Sequence, residues 1–163
     1  MLKLRKNKKG FTLVELIVVI AIMAVLAGVV AGVTVSQLNK QTDKTGQAQA
    51  NTIAQFLSQC ALTGEGDEKI TQADASDETS ISFNQTLINN VLKKQYSSSS
   101  IEVGTTGGRG KISVTLITAA VGDVPVGSIK IYYQGKQSGT TGDVTYYVQL
   151  DGTITKVTPT TGG

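Results

Sequence analysis

The 163-residue chain has no histidine, one cysteine and two prolines, and only 17% of its residues are charged. Without an imidazole there is no His-based acid–base pair, nucleophilic triad or zinc ligand, and no other group of residues proposes a reaction. The expectation is a protein that is not an enzyme and uses no cofactor or metal. The run Gly104-Thr-Thr-Gly-Gly-Arg-Gly-Lys111 approaches a phosphate-binding loop. It fails because Thr105 stands where the first glycine belongs and Ile112 where Ser or Thr is needed, and because it feeds a strand. A hairpin loop is the better reading. The lone Cys60 excludes an intrachain disulfide and falls on an apolar helix face, as a small buried thiol would. Proline is missing from Phe11 to Leu62, so nothing there removes a helix N–H.

Charge of one sign is missing at the start. Residues before Gly10 carry five Lys and Arg and no acid. From Leu16 to Val33 there are 18 residues with no charge of either sign, weakly extended by Thr34 and Val35. That length is within the range for a helix crossing a bilayer core. Basic residues followed by an apolar run also suit a secretory signal. This run is longer than the usual ~7–15 residues of such a signal and ends in no A-x-A-like site. It also has an acid, Glu15, near its front. A carboxylate at membrane depth costs about 2.5–3.5 kcal/mol at a helix centre, so its presence needs a reason.

Gly10-Phe11-Thr12-Leu13-Val14-Glu15, with the basic leader before it and the Leu16–Ile22 run after it, closely resembles the start of type IV pilins and pseudopilins. The resemblance covers about residues 1–60 and resembles major pilins of the type IVa kind. It implies cleavage between Gly10 and Phe11 by prepilin peptidase and N-methylation of Phe11. It also implies that Glu15 pairs with the amino group of a neighbouring subunit's first residue. The physics agrees: an α-amino group created at Phe11, with a pKa of about 7.7–8, is cationic at neutral pH. Pairing in a polymer relieves the cost of two charges at once. The plainer reading is a Glu that snorkels from the first turn and favours the helix N-terminus. Many Gram-negative members close a C-terminal loop with a disulfide, so the lone Cys60 points toward a Gram-positive, clostridia-like source.

With the leader removed, 10 basic residues face 12 acidic ones, a side-chain charge of −2. Such a balance implies no nucleic-acid partner. The resemblance implies instead a homo-oligomeric helical filament, prepilin peptidase, an assembly platform with its ATPases, and the membrane before assembly. The chain would be a single-pass membrane protein first and part of an extracellular pilus afterwards. Motility, adhesion, biofilm formation, DNA uptake and contacts with hosts or other cells are left open.

The expected organisation is a removed leader, 1–10; a hydrophobic helix half, 11–35; and an extracellular head, 36–163. Within the head the expectation is an amphipathic helix half 36–63, a loop and short helix 64–96, a sheet 97–158 and a tail 159–163. The fold class is α+β: one long N-terminal helix packed on an antiparallel sheet of four or five strands, with a second short helix between. Ile53, Phe56, Leu57, Cys60 and Ala61 make one apolar stripe, and Gly64 reads as the C′ stop. A helix from Phe11 to Thr63 would be about 80 Å long at 1.5 Å per residue. Ala24, Gly28 and Gly32, at i, i+4, i+8, would let helices approach closely or unwind locally, though small residues are common in membrane helices anyway.

Residues 64–80 read as an acidic solvated loop carrying Glu65, Asp67, Glu68, Asp74, Asp77 and Glu78. A calcium site there lacks EF-hand spacing. Ser82 is a candidate cap for a helix with Phe83, Leu87, Ile88, Val91 and Leu92 on one face and Lys93-Lys94 near its end. Asn84-Gln85-Thr86 has the form of a glycosylation sequon. From Ile101 the period becomes 2, with strands at Ile101–Val103, Lys111–Thr118, Ser128–Tyr133, Val144–Leu150 and Thr153–Val157. Asp151-Gly152 signals a type I′ hairpin. Tyr132-Tyr133 and Tyr146-Tyr147 should each place one ring inward and one outward.

Two alternatives stand beside a major pilin. One is a pseudopilin or minor pilin of a type II secretion or DNA-uptake system. The other is a membrane-tethered extracellular binding domain that never polymerises.

Overall fold

The computed structural model describes residues 10–73, 80–137, 139–140 and 142–157. The leader before Gly10, the acids Asp74, Asp77 and Glu78, and the tail 159–163 lie outside the described residues. Two compact units divide the chain, Met1–Leu38 and Asn39–Gly163. Helix α1 runs from Leu13 to Thr63 and contributes to both.

In the first unit α1 is apolar on every side. Its large apolar side chains from Leu13 to Val35 are all about half exposed or more, from 49% at Val18 and Val19 to 73% at Leu13. A helix without a polar face has no way to sit at a water interface, and it is long and apolar enough to cross a membrane.

In the second unit α1 buries one face: Asp43, Gly46, Ala50, Ile53, Ala54, Leu57 and Cys60. Phe56 and Ala61 are only partly buried against this core. The buried stripe begins three turns earlier than apolar periodicity predicts, because two of its members, Asp43 and Gly46, are not hydrophobic. Burial, followed by the nearby charge of Glu68, pushes the Cys60 thiol above its usual range, so Cys60 is a packing residue. Gly64 does end the helix, but not as a left-handed cap. Its N–H still bonds the Cys60 carbonyl at 3.0 Å. A Cβ there would lie 2.5 Å from the Glu68 carbonyl oxygen and closer still to that of Cys60. Close approach, rather than a positive φ, requires glycine at this position.

The described first part of the acidic loop, 64–73, carries regular structure. It forms a 3-10 turn at Gly66–Glu68, then β1 (Thr71–Ala73), which pairs antiparallel with β2 (Ile81–Phe83). Ile70, fully buried, anchors it to the core. Helix α2 follows at Gln85–Tyr96 and buries Ile88, Val91 and Leu92. Its cap is Asn84 rather than Ser82, which lies in β2 with Phe83. The Asn84 side-chain oxygen accepts from the N–H groups of Thr86 (2.8 Å) and Leu87 (3.2 Å), and its amide donates to Gln72. The sequon asparagine is thus occupied at both ends of its amide.

Five strands make the main sheet: β3 (Glu102–Gly104), β4 (Lys111–Leu116), β5 (Ile129–Tyr133), β6 (Val144–Val148) and β7 (Ile154–Val157), in that spatial order. Three pairs are antiparallel as expected, but β3 and β4 are parallel. A three-residue strand needs a return path of only about 10 Å, which the six residues 105–110 cover. The reversal uses Gly110 at φ +76. The β6–β7 turn also departs from expectation. Among the described residues no non-glycine residue has a positive φ, which excludes type I′ at Asp151. Instead Gln149 and Thr153 close a three-residue loop. Gly152 (φ +79) donates to the Gln149 carbonyl, and Asp151 accepts from the Thr153 N–H.

The inward rows of β4, β5 and β6 (Ile112 and Val114; Ile129, Ile131 and Tyr133; Val144, Tyr146 and Val148) join the buried residues of α1 and α2 in one core. Tyr132 and Tyr133 alternate as expected. Tyr146 and Tyr147 do not, since both are 6% exposed: β6 is buried along its whole length.

Gly46 marks where α1 meets this sheet. The Tyr133 ring fills the space a Cβ would occupy there. Gly46→Ala should gain about 1 kcal/mol of helix propensity yet lower the melting temperature, because a fully buried ring must move. Circular dichroism of the variant in detergent checks the sign.

Candidate assembly site

Gly10, Phe11 and Thr12 are not helical and α1 begins at Leu13. The reason lies in Thr12 and Glu15. The Thr12 carbonyl accepts the first helical bond, from Leu16 N–H at 3.3 Å. The Thr12 hydroxyl oxygen accepts from Glu15 N–H at 3.3 Å. Glu15 Oε2 in turn accepts from Thr12 N–H at 2.9 Å and from the Thr12 hydroxyl at 2.8 Å. This is a capping box, a Thr at the N-cap and a Glu at the third helical position satisfying each other's N–H groups.

The box changes the account of Glu15. Its carboxylate is not without partners in a single chain, because Thr12 supplies two donors. The pattern Thr-x-x-Glu ahead of an apolar run is the sequence signature of such a box. Phe11 stands outside the helix at 91% exposure, next to an exposed Gly10. Phe11, Val14, Glu15, Leu16, Val18 and Val19 together line one apolar depression. Ala24, Gly28 and Gly32 lie further along an unbroken stretch of α1. Among the described residues nothing lies within 4 Å of where a Cβ of Gly28 or Gly32 would be.

A second polar centre, in the other unit, was not anticipated. Asp43 is 3% exposed. It accepts from the Tyr133 hydroxyl (3.0 Å), Lys136 N–H (2.6 Å), Gln137 N–H (3.4 Å) and the Gln137 side-chain amide (3.1 Å). Burial by itself would raise this carboxyl. The hydrogen bonds from Lys136, Gln137 and Tyr133 outweigh it and hold Asp43 below its ordinary range. Burial, reinforced by Asp43, pushes the Tyr133 hydroxyl well above its ordinary range. Beside it Tyr132 donates to Asp143 at 2.5 Å, and burial first, then that bond, moves it up to about 12. One signal was available: Asp43 is the only acid between Glu15 and Glu65. Among the described residues no three His, Cys, Asp or Glu side chains gather as a metal site.

Neither a curated protein nor a solved structure matches the chain. The family model of the prokaryotic N-terminal methylation motif matches residues 5–31. That segment holds Gly10, Phe11, the capping box and most of the apolar stretch. This motif, leading into a long apolar N-terminal helix, supports a type IV pilin-like protein.

Proposed function

We propose that the chain is a structural subunit of a type IV pilus, acting by polymerisation and not as an enzyme. One observation carries this reading. The methylation motif opens a helix whose apolar side chains from Leu13 to Val35 are exposed on every side. Such a surface is stable only in lipid or against other apolar helices, and a filament core offers the second once the subunit leaves the first. Prepilin peptidase cuts between Gly10 and Phe11 and the new amino group of Phe11 is methylated. The subunit waits as a single-pass membrane protein until the assembly platform and its ATPases extract it. Glu15 then exchanges its Thr12 donors for the amino group of a neighbouring Phe11, with Ala24, Gly28 and Gly32 as positions of close helix approach or local unwinding. The second unit faces outward on the filament, where motility, adhesion or biofilm formation would draw on it.

Intact-mass measurement on sheared surface material and on membranes tests the reading. The expected result is a chain beginning at methylated Phe11, abundant in the sheared fraction. The same mature chain confined to membranes favours a pseudopilin or minor pilin, which shares every feature described at the N-terminus. A chain retaining residues 1–10 in both fractions overturns the proposal in favour of a tethered domain.

A further inference from the structure

Gly135, Lys136 and Gln137, which follow β5, have three successive backbone N–H groups turned to carboxylates. Gly135 donates to Asp143 at 2.8 Å, and Lys136 and Gln137 donate to Asp43. The carbonyls of Gly135 and Gln137 accept from the Arg109 guanidinium. None of these is a strand-ladder bond. One turn along α1 from Asp43, the Gln47 side chain donates to the Gly142 carbonyl at 2.9 Å, and Gly46 between them admits the Tyr133 ring. Successive N–H groups of this kind make an anion-binding concavity, and here the anion is a side chain of the long helix.

We propose that residues 43–47 of α1 and the strap Gly135–Gln137 form one conformational latch, each holding its structure only while the other does. The strap lacks a sheet partner and takes its shape from Asp43, Asp143 and Arg109. The α1 turn buries a carboxylate, which is tolerable only while the strap and Tyr133 supply donors. Coupling of this sort is reciprocal. An acidic group of a second copy that took the strap's N–H groups would loosen α1 at this turn, and unwinding of α1 there would free the strap. The inference stands on contacts within the second unit and holds whether or not the chain polymerises.

Hydrogen exchange read by mass spectrometry on the full chain in detergent tests it. Asp43→Asn, which keeps the shape but replaces an acceptor with an amide, should speed exchange about tenfold at Gly135–Gln137 and also at Asp43–Gln47. The β4 and β5 ladders should not change. Tyr133→Phe removes a single donor from the sheet side and keeps the ring. It should speed exchange at Asp43–Gln47, by about threefold or more. Either variant leaving the helix amides unchanged overturns the latch. So does a uniform rise across the whole second unit, which would mean general destabilisation.

Discussion

Glu15→Ala should abolish surface polymer while leaving the membrane pool of the protein at its normal level. The substitution removes two things, the carboxylate offered to a neighbour's amino group and the acceptor that completes the capping box with Thr12. Companion variants separate them. Glu15→Gln retains an oxygen able to accept from Thr12 N–H, because glutamine also serves in capping boxes, but it carries no charge. Thr12→Ala keeps the charge and loses the N-cap, at a cost of about 1 kcal/mol of helix stability. If charge pairing drives assembly, Glu15→Gln should fail as fully as Glu15→Ala, while Thr12→Ala should still yield filaments. Shearing followed by immunoblotting of both fractions reads all three. Wild-type polymer from Glu15→Gln would sink the pairing mechanism and leave the cap as the reason for the acid. Wild-type surface display and function from Glu15→Ala would support a tethered domain instead.

Asp43→Ala should strongly destabilise the second unit. It leaves the N–H groups of Lys136 and Gln137 facing a void and the Tyr133 hydroxyl with only its 3.4 Å bond to the Thr42 carbonyl, and each buried unsatisfied donor costs about 1–3 kcal/mol. Relaxation of the strap recovers part of this, so a net loss of about 3 kcal/mol is expected. In a domain of this size that lowers the melting temperature by roughly 10 °C. The contribution is pH-dependent with a definite sign. Folding holds the Asp43 carboxyl below its ordinary value, whereas the unfolded chain titrates at about 3.9. The folded state therefore gains stability above that pH and loses it as pH falls toward the folded value. Melting curves should show a constant gap between wild type and Asp43→Asn from about pH 5 to 8 and a narrowing gap below about pH 4. A gap independent of pH down to acid unfolding would mean that folding does not lower the Asp43 carboxyl.

The N-terminal site was legible in the sequence because its residues are neighbours. Gly10, Phe11, Thr12 and Glu15 lie close together in the chain, and the apolar run behind them needs no tertiary partner to be recognised. Strand positions were legible for the same local reason. A period of two survives from Ile112 to Tyr133 because β4 and β5 each bury alternate residues. It misleads at β6, where both Tyr146 and Tyr147 are buried, because a central strand can be covered on both faces. The parallel pairing of β3 depends on where a six-residue loop sends the chain, and no residue pattern encodes that.

What the sequence determined alone is the membrane-length helix, its basic leader and the motif at its start, since hydropathy and short-range spacing are properties of the chain itself. The tertiary structure decided the role of Asp43, Gly46 and Tyr133. Asp43 and its donors are separated by 90 or more positions, and a buried carboxylate is distinguishable from a solvated one only by what folds over it.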